Sequence, residues 1–426
     1  MLLVFIFLTV QLLISYLIID FIPNQEAYGL IMLLIGITAV SFYLYRSLDR
    51  AWLIVIFTGF VLRITTLLID LYVPSITVFS SGADTEMFHK SSLAIAEGTL
   101  PISEGITAYV PFLSIIYFLG GDQRPFAQFL NIVFWVFAAV FLLKSMQRLN
   151  VELKLTYIAL LIFTFMPTGI VMSSILLRES IIVFFISISL YQFICWFTGS
   201  NIGAFLQAAG WALAASVFHS GMIGFLIAYL LAYQLVEKPI KSQRSSAIVY
   251  SLFTLLIFFI VLQNGDLFLG KFRALEEGGV SGVEISARGG SMYLENLDGL
   301  NGVAALAVAP IKMLYFLLSP MPFDWRGFGD MASFASDSSV YLFLIIGIIW
   351  GLWNSDMPVR NKLFLFLFVS LTVLIYAYGT QNAGTAMRHR NKIVPLFLIV
   401  FVLTNSKQFL SIRRHSRIQE KGEKLA

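Results

Sequence analysis

Long apolar runs separated by short polar connections dominate this chain. A helix needs roughly 20 apolar residues to cross the hydrocarbon of a bilayer. That rule predicts spans near 3–21, 28–45, 51–73, 126–144, 155–172, 180–198, 203–218, 221–236, 245–263, 339–354, 363–379 and 391–405. Two shorter apolar stretches interrupt the series: Ile106 to Gly120, and Gly302 to Pro320 with Pro310 and Lys312 inside it.

Charge sorts the connections. Arg46 to Arg50, Lys144 to Lys154, Glu237 to Arg244, Asp356 to Lys362 and the tail carrying Lys407, Arg413, Arg414, Arg417, Lys421 and Lys424 are short and basic, which assigns all of them to the cytoplasm. The chain then crosses an even number of times between any two of them. Counting Ile106–Gly120 or Gly302–Pro320 as crossings breaks that parity, so both are read as re-entrant or interfacial. The expectation is an all-α, polytopic transmembrane bundle of about twelve spans with both termini cytoplasmic. Residues 1–405 form a single integral-membrane domain with large extracytoplasmic segments at 74–125 and 264–338, and residues 406–426 are a basic cytoplasmic tail. The Gly-rich second segment is too long for a simple connector and reads as a functional loop. Two large outer segments over a helical bundle suggest an outward-facing cavity.

Composition agrees with that reading. Hydrophobic residues make up 58% of the chain, charged residues 12%, and the mean hydropathy is +0.86, values that exclude a water-soluble domain. A net charge of +4, gathered at loop ends and in the tail, sets membrane orientation and gives no reason to expect a nucleic-acid partner. The single cysteine, Cys195, has no partner for a disulfide. Met1 to Asp20 lacks a basic leader and a small-residue cleavage site, so it is read as a retained span. No phosphate-binding Gly-Lys-Ser/Thr loop, His-Glu-x-x-His or Cys-x-x-Cys is present, which argues against ATP-driven transport by this chain alone.

The parity argument gathers scattered polar groups at the outer ends of spans. They are Ser80 to Lys90 with Asp84, Glu86, His89 and Lys90; Leu176 to Ser180 with Arg178 and Glu179; His219; and Gly384 to Arg390 with Arg388, His389 and Arg390. Asp84 or Glu86, in a partly dry pocket, suits a general base, since desolvation raises a carboxylate's proton affinity. Arg178, Arg388 and Arg390 are forked cations suited to a donor phosphate. Glu179 orients an arginine or joins Asp84 in holding a divalent cation such as Mg or Mn. Each group also has a structural reading: Asp84 as a helix cap, Arg178 and Glu179 as boundary residues, the basic trio as a headgroup anchor, His219 as an interfacial histidine. Arg63 and Asp70, seven apart within the third span, share a face and either line a cavity or pair with other groups.

Several segments together resemble the GT-C superfamily of integral-membrane glycosyltransferases: Gly82-Ala83-Asp84-Thr85-Glu86, the segment Ala108-Tyr109-Val110-Pro111 to Gly120, Pro167 to Glu179, and Asn382 to Arg390 leading to Pro395. The likeness covers about the first 200 residues in architecture. It implies sugar transfer from a polyprenyl-phosphate-linked donor to a saccharide or lipid acceptor, at the outer face of a bacterial plasma membrane, in envelope or exopolysaccharide assembly alongside other assembly proteins. By the same resemblance Asp84 is the base, with Glu86 its partner or substitute, and Arg178 and Glu179 assist the phosphate or a metal. Here the acidic motif is Asp-x-Glu, not Asp-x-Asp, which leaves metal dependence open. Val217-Phe218-His219-Ser220-Gly221 resembles a phrase of Wzy-like and EpsG-like polysaccharide polymerases, which join lipid-linked units; that alternative rests on His219 and the basic residues of 264–338. A secondary transporter or lipid flippase is the alternative from another class, and a scaffolding membrane protein is a fourth.

Overall fold

In hydrocarbon every backbone N–H and C=O must be paired within its own segment, so apolar runs of this length fold as helices. A computed structural model describes residues 1–22, 24–73, 82–105, 107–199, 201–235, 292–294, 302–380 and 382–407. Among these, helices account for nearly all the regular structure, with one isolated β-bridge between Met292 and Asn382. The helices are α1 (Leu2–Ile18), α2 (Gln25–Ser47), α3 (Arg50–Tyr72), α4 (Gly82–Ala96), α5 (Tyr109–Gly120), α6 (Arg124–Arg148), α7 (Leu153–Phe165) and α8 (Pro167–Ser174). They continue as α9 (Glu179–Gly199), α10 (Ile202–Phe218), α11 (Ile223–Leu235), α12 (Gly302–Leu318), α13 (Phe328–Ser333), α14 (Ser339–Asn354), α15 (Val359–Tyr378) and α16 (Ala383–Asn405).

Six helical stretches among the described residues are long and apolar enough to cross a membrane, or seven if the bent pair α7–α8 counts as one span. The structure thus supports a polytopic helical protein in coarser terms than about twelve spans. α1, α5, α10, α11 and the second part of α12 are shorter apolar helices, and the expected span at 245–263 lies outside the described residues. α5, at 12 residues, extends only about 18 Å, well short of the roughly 30 Å hydrocarbon. The last helix departs from expectation by starting at Ala383, with Asn382 accepting from the amides of Gly384 and Thr385, so Arg388 to Arg390 lie inside it.

The chain divides into two units. Unit 1 comprises residues 1–141 and 163–184. Its α4 and α5 pack along one another, with α1 against α5 and α3 against α8. Much of the surface of α1 to α3 is apolar and exposed, as a lipid-facing surface requires. Unit 2 comprises residues 142–162 and 185–426, with α15 packed on α11, α12 and α16, and α14 on α16.

The break between α7 and α8 bends the chain by 48° at Met166–Pro167, where proline has no N–H to continue the ladder. Carbonyls at a helix C-terminus lack intrahelical donors. Arg63 supplies one: its Nη1 donates to Thr164 O at 2.9 Å and to Gly59 O at 3.0 Å, and its Nε donates to Ser173 Oγ at 2.9 Å. The guanidinium lies over the Trp135 ring, 5.3 Å from its centroid, and the residue is buried. Glycine at position 59 permits this approach, because a Cβ there would sit 2.1 Å from Thr164 Cγ2.

Candidate functional site

In unit 1 the site is built on α4. Asp84 lies in its first turn, where a carboxylate complements the helix dipole, and is exposed. That setting differs from the partly dry pocket expected for it. Glu86 lies half-buried on the next part of the helix, and its Oε1 is 2.8 Å from Arg124 Nη2 at the start of α6. Burial alone would raise the Glu86 carboxyl, but the hydrogen bond and charge of Arg124, aided by His89 and Lys90, outweigh it and hold the group below the usual carboxylate range.

His89, one turn after Glu86, packs edge-on against Tyr117 of α5, with Nδ1 2.9 Å from the Tyr117 hydroxyl and Nε2 3.7 Å from Asp122 Oδ1. Burial lowers its proton affinity; Asp122 and Glu86 work against that, while Arg124 and Lys90 add to it, and the net shift is downward. The imidazole is therefore neutral at pH 7. A tautomer with the proton on Nε2 lets Tyr117 donate to Nδ1 while Nε2–H faces the Asp122 carboxylate.

Arg178 and Glu179 sit where the turn after α8 leads into α9. Arg178 is half-buried and Glu179 fully buried. Asn131 of α6 braces the turn, its Nδ2 donating to Ile175 O at 2.8 Å and Leu177 O at 2.9 Å. Its Oδ1 accepts from the hydroxyl of Tyr109, the first residue of α5, at 3.1 Å. Arg63 and Asp70 do not pair with each other: Asp70 accepts from Gln128 Nε2 at 2.9 Å, and Arg63 serves the α7–α8 bend.

In unit 2 three rings meet. His219, at the end of α10, stacks on Tyr376 of α15 with centroids 5.2 Å apart, and His389 of α16 meets His219 at 4.9 Å and Tyr376 at 5.3 Å. His219 Nδ1 accepts from the Gly221 amide at 3.1 Å, and His389 Nδ1 lies 3.0 Å from Thr380 Oγ1. Arg388 and both histidines are half-buried. Arg390 is different. It is fully buried, donating from Nη1 to Leu317 O at 2.6 Å and from Nη2 to Ser319 O at 2.8 Å, with Nη2 2.5 Å from buried Asp337 Oδ2. A guanidinium placed in this way braces the end of α12.

The expected residues thus fall into separate groups: Asp84, Glu86, Arg178 and Glu179 within unit 1, and His219, Arg388, His389 and Arg390 within unit 2. Sequence reasoning passed over Arg124, Tyr117, Asp122 and Asn131 in the first, and Tyr376 and Asp337 in the second. Asn131 carries a readable signal, an amide in an otherwise apolar span; Asp337 carries one too, a carboxylate abutting an apolar run. Among the described residues no three His, Cys, Asp or Glu side chains converge as a metal cage. Asp84 is exposed and Glu179 fully buried.

Residues 106–273 match the family model described as dolichyl-phosphate-mannose-protein mannosyltransferase, a family of integral-membrane glycosyltransferases in the GT-C superfamily. Neither the curated proteins nor the solved structures give a significant match.

Proposed function

We propose that this membrane glycosyltransferase, of the GT-C kind that takes sugar from a polyprenyl-phosphate donor, delivers it to a saccharide or lipid hydroxyl at the outer face of a bacterial plasma membrane during exopolysaccharide or envelope assembly. The basic connections at Arg46–Arg50, Lys144–Lys154 and Asp356–Lys362 argue for a cytoplasmic inner side, about twelve spans and cytoplasmic termini. Asp84 and Arg178 follow at the opposite ends of their spans.

The acceptor oxygen attacks the anomeric carbon as the bond from that carbon to the phosphate oxygen breaks. The acceptor proton passes to the Asp84 carboxylate, and the electron pair leaves with the polyprenyl phosphate. Arg178, a half-buried cation on a braced turn, meets the charge that develops there, where fixed donors contribute most to rate. One displacement inverts the anomeric centre.

One observation carries the choice of base. Glu86 is tied to Arg124 and weakened by it, whereas Asp84 is solvent-exposed in the first turn of the same helix. The test is Asp84→Asn, assayed for transfer from a polyprenyl-linked donor in membranes with matched protein levels. Loss of 100-fold or more is in line with removing a general base; undiminished transfer removes Asp84 from the role.

A second reading is favoured by the contact of His219 with His389. In that reading the chain is a Wzy-like polymerase, with His219 and the basic residues of 264–338 serving the diphosphate of a lipid-linked repeat unit; of these Lys271, Arg273 and Arg288 lie outside the described residues. His219→Ala would then abolish polymerisation while Asp84→Asn spares it.

A further inference from the structure

Asn131 connects parts of unit 1 that are distant in sequence. Its amide has a single workable orientation, because Nδ2 faces the carbonyls of Ile175 and Leu177, and a flipped amide would set oxygen against oxygen. The Tyr109 hydroxyl meets both atoms of the same amide, donating to Oδ1 at 3.1 Å and lying 2.9 Å from Nδ2, so it packs against the clamp whose orientation the two carbonyls set. Tyr109, Asn131, Ile175 and Leu177 are all at most 3% exposed, so no water substitutes for a missing partner. The Tyr109 ring in turn meets Phe88 of α4 edge-on at 5.4 Å, next to His89 and one turn from Asp84. α4 and α5 are further joined where Ser92 Oγ donates to Val110 O at 3.1 Å.

We infer that Asn131 is a positioning residue that sets where the Arg178 guanidinium stands relative to Asp84, and that Tyr109 transmits the placement of α4 to it. The inference rests on the reading that Arg178 meets the leaving phosphate. Neither residue touches the substrate; both act through the backbone of residues 175–177. A one-step displacement needs the base and the phosphate donor to keep a fixed separation on opposite sides of the anomeric carbon, which is what such a clamp would serve.

Two measurements test this. In membranes with matched protein levels, Tyr109→Phe, which keeps the ring, raises the KM for the polyprenyl-linked donor about three- to tenfold, the effect of one buried hydrogen bond. The acceptor KM stays unchanged, Asn131→Asp acts in the same direction more strongly, and Tyr109→Phe adds nothing to Arg178→Ala. A lower kcat with an unchanged donor KM, or effects that multiply in the double variant, overturns the inference. The second measurement needs no turnover. Because Cys195 is the only cysteine, Arg178→Cys in a Cys195→Ser background gives a single thiol for a water-soluble maleimide. Adding Tyr109→Phe changes the labelling rate at 178 and not at a control thiol from Glu97→Cys, exposed in the turn just after α4. An equal rate at 178 overturns the positioning role. A changed rate combined with a wild-type donor KM for Arg178→Ala leaves the clamp standing and removes the phosphate assignment instead.

Discussion

Arg390 and Asp337 form an ion pair at 2.5 Å with neither side chain accessible to solvent. The pair draws α16 to the π-helical turn before α14, and the same guanidinium bonds carbonyls at the end of α12. Removing one partner from a buried pair leaves an uncompensated charge, at a cost of about 3–5 kcal/mol. Asp337→Ala and Arg390→Ala are therefore expected to reduce folded protein and lower its melting temperature in detergent. Well-folded Arg390→Ala protein with only a raised donor KM would return Arg390 to the phosphate.

Lowering the pH below the ordinary histidine pKa of about 6.5 should destabilise unit 1 through His89. The folded protein holds this imidazole neutral to lower pH than the unfolded chain does, chiefly by burial against the side of α5. In that interval the unfolded state binds more protons. The contribution of His89 is thus complete above pH 6.5 or so and is lost as the pH falls through the folded value. Glu86, also shifted down, responds only below the usual carboxylate pKa of about 4.3 and is silent in this window. Melting curves at pH 7.5 and 5.5 for wild type and His89→Gln provide the check. Equal acid sensitivity in both would show that His89 is not the responsible group.

A side chain at position 59 should loosen the α7–α8 bend. A Cβ there meets Thr164 Cγ2 at 2.1 Å and the Arg63 Nη1 at 3.2 Å, so Gly59→Ala is overpacked by an amount worth about 1–3 kcal/mol. The better helix propensity of alanine returns part of this, up to about 1 kcal/mol. Thr164→Ser removes the offending methyl, and the double variant should recover most of the melting temperature lost by Gly59→Ala alone. Recovery failing to appear would place the strain elsewhere.

Gly221→Ala tests the ring cluster of unit 2. Its Cβ would stand 3.0 Å from Tyr376 Cζ and 3.1 Å from His219 Nδ1, enough to shift both rings by a few tenths of an ångström. Under the polymerase reading this shortens the polymer made; under single-sugar transfer by unit 1 the rate is unchanged. Product length on a gel distinguishes the two.

Apolar periodicity made the helices legible because each run must satisfy its backbone internally, and helix ends fell within a few residues of where polarity returns, as at Arg50, Arg148 and Tyr378. The 12-residue length of α5 is in line with the parity reading that keeps Ile106–Gly120 apart from the spans. Roles of individual charges were less legible. Arg388 and Arg390 look alike in sequence, yet a shift of two positions on a helix turns one side chain into the protein beside Asp337 while the other stays half-buried. Asp84 and Glu86 differ likewise, because the partner that distinguishes them, Arg124, lies 38 residues beyond Glu86 and meets it only once α6 has packed. Sequence places a charge on an element; which neighbour it finds depends on the packing of several.

The short length of α5 has a consequence for mapping the membrane. A helix too short to cross leaves both its ends in one compartment, so the expectation is that the turn at Gly98, before it, and the turn at Gly121, after it, share one side. Reporter tags placed at these two points, although separated by an apolar helix that a hydropathy plot would count as a span, should give the same signal.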